Sequence, residues 1–225
     1  MFKITLYHGS PGIVEKPEYG KGKPYNDYGR GFYCTEELDL AREWACSELS
    51  DGFVNQYEIN PSELRILNLS SGNYTILHWL ALLVNYRRFR ISTPVMKRAV
   101  EWLTDNYMPE LDNYDAVVGY RADDSYFSFA RAFVNNELSL SQLSYAMKLG
   151  GLGEQFVLKS EKAFSLIRFI SYEAVSQNTY YPLRKQRDDN ARAAFRRELE
   201  QEDMNGLFIR DIIREGIQPD DPRLQ

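Results

Sequence analysis

The residues best equipped for chemistry are few and fall in short stretches. His8 ends an alternating apolar–polar segment, FKITLYHGS, and is followed directly by Gly9 and Ser10. A glycine beside a strand end lets a ligand come close to the main chain, so His8 is a candidate ligand-binding residue. The second stretch, DYGRGFYCTEELDLAREWA, spans residues 27–45 and sets Tyr33 after two closely spaced glycines, with Trp44 eleven residues further on. Two flat rings held at a fixed offset can grip a flat ligand. Core packing is the competing explanation for both rings, because Trp44 lies on the apolar stripe of its helix. The other histidine, His78, sits in TILHWLALLV and reads as a buried, hydrogen-bonded core residue of an apolar helix.

These groups must be positioned by strands, loops and helices that the pattern outlines. FKITLYHGS reads as a strand stopping at Gly9, and Pro11 to Gly31 as a long loop, a length more often functional than merely connecting. GFYCT reads as a short strand, with Thr35 capping a helix whose first turn carries Glu36 and Glu37, acids favoured by the helix dipole. Leu38, Ala41, Trp44 and Ala45 line one face of that helix. FVNQYEI, LRILNL, YDAVVGY, EQFVLKS and RFISYEAV read as further strands. Helices are expected over Tyr74 to Phe89, over Pro94 to Trp102 with Thr93 as cap, and over Ser125 to Val134. SLSQ from Ser139 reads as a capping box opening another helix, and Ser160 as the cap of a short one. Most of Leu183 to Glu215 reads as one or two charged helices. Irregular interleaving of strands and helices predicts an α+β fold with a mixed or mainly antiparallel sheet.

Composition sets bounds. The chain has 225 residues and a formal net charge of −5, which speaks against a general nucleic-acid coat protein. The most apolar stretch, Ile76 to Val84, is too short to span a bilayer, and no secretory leader is expected at the start of the sequence. Cys34 and Cys46 fit neither a disulfide framework nor a metal motif. A cytoplasmic protein with reduced cysteines and no membrane association is expected.

Three segments in order, YHGS, GRGFYCTEELDLAREW and EQFVLKSEKAF, resemble the signature segments of the ADP-ribosyltransferase superfamily in its histidine–tyrosine–glutamate branch. The spacing from Tyr33 to Trp44 is similar to that of the two nicotinamide-stacking aromatics in poly-ADP-ribosyltransferase members. The chain resembles more closely still a bacterial family labelled as a domain of unknown function and grouped with these transferases. The matching motifs are Tyr7–Ser10, Asp27–Tyr33, Val118–Asp124 and Gln155–Ser160, and the resemblance covers roughly residues 1–175.

The resemblance implies the split-sheet transferase fold over residues 1–176, with helical insertions, while the mixed charge at helical spacing over 177–225 reads as a helical C-terminal extension that the resemblance does not cover. It implies NAD as donor substrate, without a metal, and a macromolecular acceptor, protein or nucleic acid, in a toxin- or defence-like setting with a small neutralising partner protein. By resemblance His8 bonds a ribose hydroxyl, the Gly9 backbone bonds the nicotinamide carboxamide, and Tyr33 and Trp44 stack on the ring. Ala41 stands where relatives place a carboxamide-binding serine, so that contact is either absent or supplied elsewhere, by Thr35 or Ser10. Gln155, not a glutamate, stands at the catalytic position. Glu154 is its neighbour, but successive strand residues face opposite sides of a sheet. A neutral amide cannot take a proton or offer a full charge to a cationic sugar, so single transfer is expected rather than chain elongation. The alternatives are an NAD- or ADP-ribose-binding module with weak catalysis, and an NAD glycohydrolase.

In GYRADDSYF, either Asp123 or Asp124 caps a helix beside a surface Arg121, or Arg121 lies near the pyrophosphate or Asp123 near the acceptor. No second carboxylate cluster accompanies the aspartates, so no metal is expected. Arg87, Arg88, Arg90, Lys97 and Arg98 form either a solvated face or a nucleic-acid patch. Leu207, Phe208, Ile209, Ile212 and Ile213 pack back on the domain or meet a partner. A dinucleotide-binding fold of the Gly-x-Gly-x-x-Gly type and a serine hydrolase both lack their motifs.

Overall fold

The computed structural model describes residues 3–122, 124–149 and 153–224. Among these, the strands are β1 (Ile4–Ser10), β2 (Phe32–Cys34), β3 (Gly52–Ile59), β4 (Ile66–Asn68), β5 (Ala116–Tyr120), β6 (Glu154–Leu158) and β7 (Arg168–Val175). The helices are α1 (Leu38–Ala45), α2 (Ile76–Tyr86), α3 (Pro94–Tyr107), α4 (Asp124–Val134), α5 (Leu140–Leu149), α6 (Glu161–Leu166), α7 (Gln177–Glu200) and α8 (Ile209–Glu215). The fold is α+β. No helix among the described residues is long and apolar enough to cross a membrane.

The chain divides into two compact units. The first comprises Met1–Asn68, Glu110–Arg121 and Gly153–Arg187 and holds all seven strands with α1 and α6. The second comprises Leu69–Pro109, Ala122–Leu152 and Asp188–Gln225 and is helical; α7 starts in the first unit and ends in the second.

In the first unit, β1, β3 and β7 form an antiparallel sheet in the order β1-β3-β7. The other sheet runs β2-β6-β5-β4 and is mixed, because β4 and β5 pair parallel. Tyr7 and Thr35 join the sheets by exchanging main-chain hydrogen bonds of 2.8 and 2.9 Å. Alternation does the rest. Leu6 and Ile59 from one sheet meet Cys34, Ala116, Phe156 and Leu158 from the other in a shared core. The opposite face of the antiparallel sheet is covered by α1, with Ala41, Ala45, Val54 and Val175 packed together.

Local signals act largely as their chemistry dictates. Thr93, Ser160 and the Ser139–Gln142 pair cap α3, α6 and α5 with side-chain hydrogen bonds of 3.0–3.2 Å. Helix α3 continues past Trp102 to Tyr107 because Met96, Ala99, Leu103 and Tyr107 extend one buried stripe. Thr35 does not cap α1. Its N–H and C=O are committed to Tyr7, so the helix starts only at Leu38, and the Thr35 hydroxyl instead accepts a turn hydrogen bond from Glu37 N at 3.1 Å. Helix α7 starts at Gln177, ahead of Pro182, because Tyr180 and Tyr181 pack on the Ala41–Val175 cluster. That packing offsets the hydrogen bond that proline cannot make.

His78 is hydrogen-bonded, but at the start of α2 rather than deep in a core. Its Nδ1 accepts from Thr75 N at 3.0 Å in a capping box, and its ring stands edge-on to Tyr74 and Tyr107. In the helical unit Ile209 and Ile212 are buried, so the apolar C-terminal run packs within the protein.

Candidate functional site

The site is built outward from the end of β1. Tyr7 directs its N–H and C=O toward Thr35. Hydrogen-bonding direction alternates along a strand, so Gly9, two residues on, presents its own N–H and C=O to that same edge. The other side of Gly9 is closed: a Cβ there would lie 2.1 Å from Ala41 O and 2.7 Å from Ala45 N. The glycine is therefore required by the approach of α1 as well as by any ligand.

His8 is held in one tautomer. Its Nδ1 lies 2.7 Å from the Tyr33 carbonyl, which can only accept, so Nδ1 carries the proton and Nε2 of the neutral ring is left as an acceptor. The imidazole packs against Phe32 with ring centroids 4.4 Å apart. Burial pulls its pKa below the ordinary histidine value, partly opposed by the hydrogen bond to Tyr33.

A pH dependence follows, with a definite sign. A histidine whose folded value is lowered contributes stability above its unfolded value of 6.5, and that contribution is lost as pH falls through the lowered value. His78 is lowered too, again mainly by burial, so both act in the same direction. Thermal melts are expected to show stability declining as pH falls below 6.5, with a flatter profile for His8→Gln. An unchanged profile would show that His8 does not titrate differently on folding.

Asn55, which sequence reasoning missed, organises this strand end. It is fully buried. Its Nδ2 donates to His8 O at 3.2 Å, Ser10 Oγ at 3.0 Å and Gly12 O at 3.3 Å, while Oδ1 accepts from Val14 N at 2.8 Å. Ser10 Oγ donates in turn to Gly12 O at 2.6 Å, so its hydroxyl serves the loop. The available signal was an asparagine in FVNQYEI in alternation with Tyr57 and Ile59: a core-facing polar group must find partners.

Tyr33 lies on the face of β2 opposite to Phe32 and Cys34, which belong to the shared core. The structure thus brings His8 to the Tyr33 carbonyl and the Phe32 ring. The Tyr33 hydroxyl ties its own loop, donating to Gly29 O at 2.6 Å and accepting from Tyr28 N at 3.0 Å. Gly29, with φ of 70°, supplies the left-handed turn this requires. Tyr28 is fully buried, donates to Tyr120 O at 2.6 Å, and accepts through its carbonyl from Lys159, which also donates to Arg30 O. Burial brings the Lys159 ammonium down to about 8.

Gln155 shares the sheet face of Tyr33, because Tyr33 stands opposite Val157 and Gln155 is two residues away along β6. Its Nε2 donates to Asp27 Oδ2 at 2.9 Å, and both side chains are buried. Sequence reasoning quoted Asp27 as part of a motif but gave it no role. Gln155 also lines a cavity of about 300 Å³ with Glu36, Glu37, Glu154, Thr35, Val118, Gly153 and Phe156. Glu154 lines it as well, within the regular register of β6 with β5. The last β2–β6 pair is Cys34 with Phe156, so Glu154 lies beyond the end of β2, while on its other side it still pairs with Tyr120 of β5. The Glu36 pKa is raised, first by burial and then by the charges of Glu154 and Glu37. A cavity of this kind suits a positively charged or donor-rich group.

Trp44 and Arg121 come together with each other. The guanidinium lies 4.0 Å from the indole centroid, a cation–π contact. The indole Nε1–H is buried without an acceptor among the described residues. Asp123 lies outside the described residues, and Asp124 opens α4. No group of three His, Cys, Asp or Glu among the described residues is arranged to hold a metal ion. In the helical unit, Arg87 covers the Phe127 ring at 4.9 Å, and Arg98 borders a separate hollow with Arg210 and Arg214.

Neither a curated protein nor a solved structure matches this chain. A family profile does: the one described as protein of unknown function, DUF3990, matches residues 4–169. That span contains β1, the Asp27–Tyr33 loop, α1, Arg121 and β6. The chain belongs to the DUF3990 family.

Proposed function

We propose that this protein is an NAD-dependent mono-ADP-ribosyltransferase acting on a macromolecule. The observation that carries the reading is the acid-lined cavity at the start of β6, with Gln155 in its wall. In the reaction, the bond between the nicotinamide nitrogen and the ribose breaks with its electron pair going to the ring nitrogen. The ring loses its positive charge, and the sugar gains cationic character until the acceptor nucleophile adds and gives up its proton. Carboxylates arranged before the reaction stabilise that developing charge without reorganising. His8 Nε2 accepts from a ribose hydroxyl, and the edge-facing N–H and C=O of Gly9 bond the carboxamide. Tyr33 and Trp44 supply ring faces, the latter once Arg121 turns from the indole toward the pyrophosphate. The proposed setting is a toxin- or defence-like cytoplasmic protein with a small neutralising partner, as the sequence resemblance implies.

A second reading, a binding module for NAD or ADP-ribose, draws on the neutral amide at Gln155. One experiment separates the possibilities. Purified protein is incubated with NAD labelled in its adenylate, together with bacterial lysate. Nicotinamide release with label on a macromolecule supports transfer, and His8→Ala is expected to lower the rate by about 10²–10³-fold, the scale of losing a positioned polar group at the reacting centre. Release without label indicates a glycohydrolase, and binding alone indicates the module. Absence of NAD binding would end the proposal.

A further inference from the structure

We infer that Asp27 is a positioning residue that supplies, through the Gln155 amide, the negative charge that Gln155 itself lacks. The inference rests on the proposed reading of the site as an NAD site and assigns the source of its charge.

The geometry is specific. Asp27 is 5% exposed and Gln155 4%, and the amide donates to the carboxylate at 2.9 Å. That bond fixes the orientation of the amide: Nε2 faces Asp27, so Oε1 is the end presented to the remaining surroundings, which include the cavity Gln155 lines. A buried carboxylate on the donor side draws the amide N–H toward it and increases electron density on Oε1. Oε1 thereby becomes a stronger acceptor for a ribose hydroxyl and a better neighbour for a cationic sugar. With Asp27 ionised, the pair holds a carboxylate behind the amide that Gln155 brings to the cavity wall.

The loop is built to hold Asp27 in place. The adjacent residue Tyr28 is fully buried and fixed at three atoms: its N–H donates to the Tyr33 hydroxyl, its carbonyl accepts from Lys159, and its hydroxyl donates to Tyr120 O. The Tyr33 hydroxyl returns to Gly29 O. Tyr33 therefore has a second task, fixing the turn that delivers Asp27 to Gln155.

The test compares NAD+, whose nicotinamide ring is positively charged, with NADH, whose ring is neutral, so the affinity ratio reads the charge at the site even without turnover. Calorimetric titration of wild type is expected to favour NAD+. Asp27→Asn should reduce the NAD+/NADH ratio about tenfold, the scale of replacing a charge-assisted hydrogen bond by a neutral one. The exchange Asp27→Asn with Gln155→Glu moves the carboxylate to the other side of the same hydrogen bond and should restore the ratio. Gln155→Glu alone places two carboxyl groups within hydrogen-bond reach, where they share one proton and keep at least one negative charge. That variant should hold or raise the ratio, and it keeps the inference testable if Asp27→Asn does not fold.

An unchanged ratio in Asp27→Asn overturns the inference, as does a loss that the exchange fails to restore, or a reduced ratio in Gln155→Glu. Failure of the wild type to bind NAD+ at all overturns the proposed function, and this inference with it. Binding of NAD+ with an indifferent Asp27 overturns the inference alone.

Discussion

Gly9→Ala is expected to destabilise the protein by about 3 kcal/mol, toward the upper end of over-packing costs. The added methyl would lie 2.1 Å from Ala41 O and 2.7 Å from Ala45 N, both main-chain atoms of α1 that no rotamer change can move aside. Relief requires α1 to lift from the antiparallel sheet, which uncovers the cluster of Ala41, Ala45, Val54 and Val175. For a chain of this size the loss corresponds to a melting temperature lower by about 6–12 °C. Gly12→Ala is the matched control, because nothing lies within 4 Å of its Cβ position. That substitution should be neutral or stabilise by up to about 1 kcal/mol through the unfolded chain. Equal melting temperatures for the two variants would show that α1 does not seat on Gly9 as described.

Gly9 also illustrates what a sequence can convey. Its position after His8 marked a close approach to the backbone, and the structure has one, but the approaching group on one side is the protein's own helix. Signals that act within a few residues were legible. The alternation of β1, the caps of α3, α5 and α6, and the stripes of the helices each depend on neighbours close in the chain. Tertiary competition was not legible. Nothing local to Thr35 says that Tyr7 will claim its main chain, and nothing in QNTYYPL says that two tyrosines will find a cluster that keeps Pro182 inside a helix.

The same distinction holds at the candidate site. His8 and Tyr33 stood out by type and spacing and Gln155 by the sequence resemblance, but the partners of Gln155 and Trp44 are remote in sequence. Gln155 meets Asp27 across 128 positions, and Trp44 meets Arg121. Glu154 and Gln155 both border the cavity because it opens beyond the end of β2, whose last pair with β6 is Cys34 with Phe156.

Glu43 is a further residue whose partner distance concealed its role. It is 4% exposed on α1, and it accepts from Arg187 of α7 through both carboxylate oxygens, Nε to Oε2 at 2.9 Å and Nη2 to Oε1 at 2.8 Å. Arg184 adds a hydrogen bond to Cys46 O at 3.1 Å, so the first turns of α7 are fastened along α1. Removing one member of a buried pair leaves the other charge uncompensated, at a cost of about 3–5 kcal/mol. Because the Arg187 side chain is 28% exposed, water can recover part of that charge. Glu43→Ala is therefore expected near the lower end, about 3 kcal/mol, measured by denaturant unfolding. Arg187→Ala leaves the more deeply buried carboxylate alone and should cost at least as much. The double variant should cost clearly less than the sum, since neither charge is then stranded. Strict additivity would mean that the two groups do not interact in solution. Helix α1 carries Trp44 and follows directly from Glu36 and Glu37, so the same variants should weaken the proposed NAD binding. Gly12→Ala, which leaves that helix seated, should not.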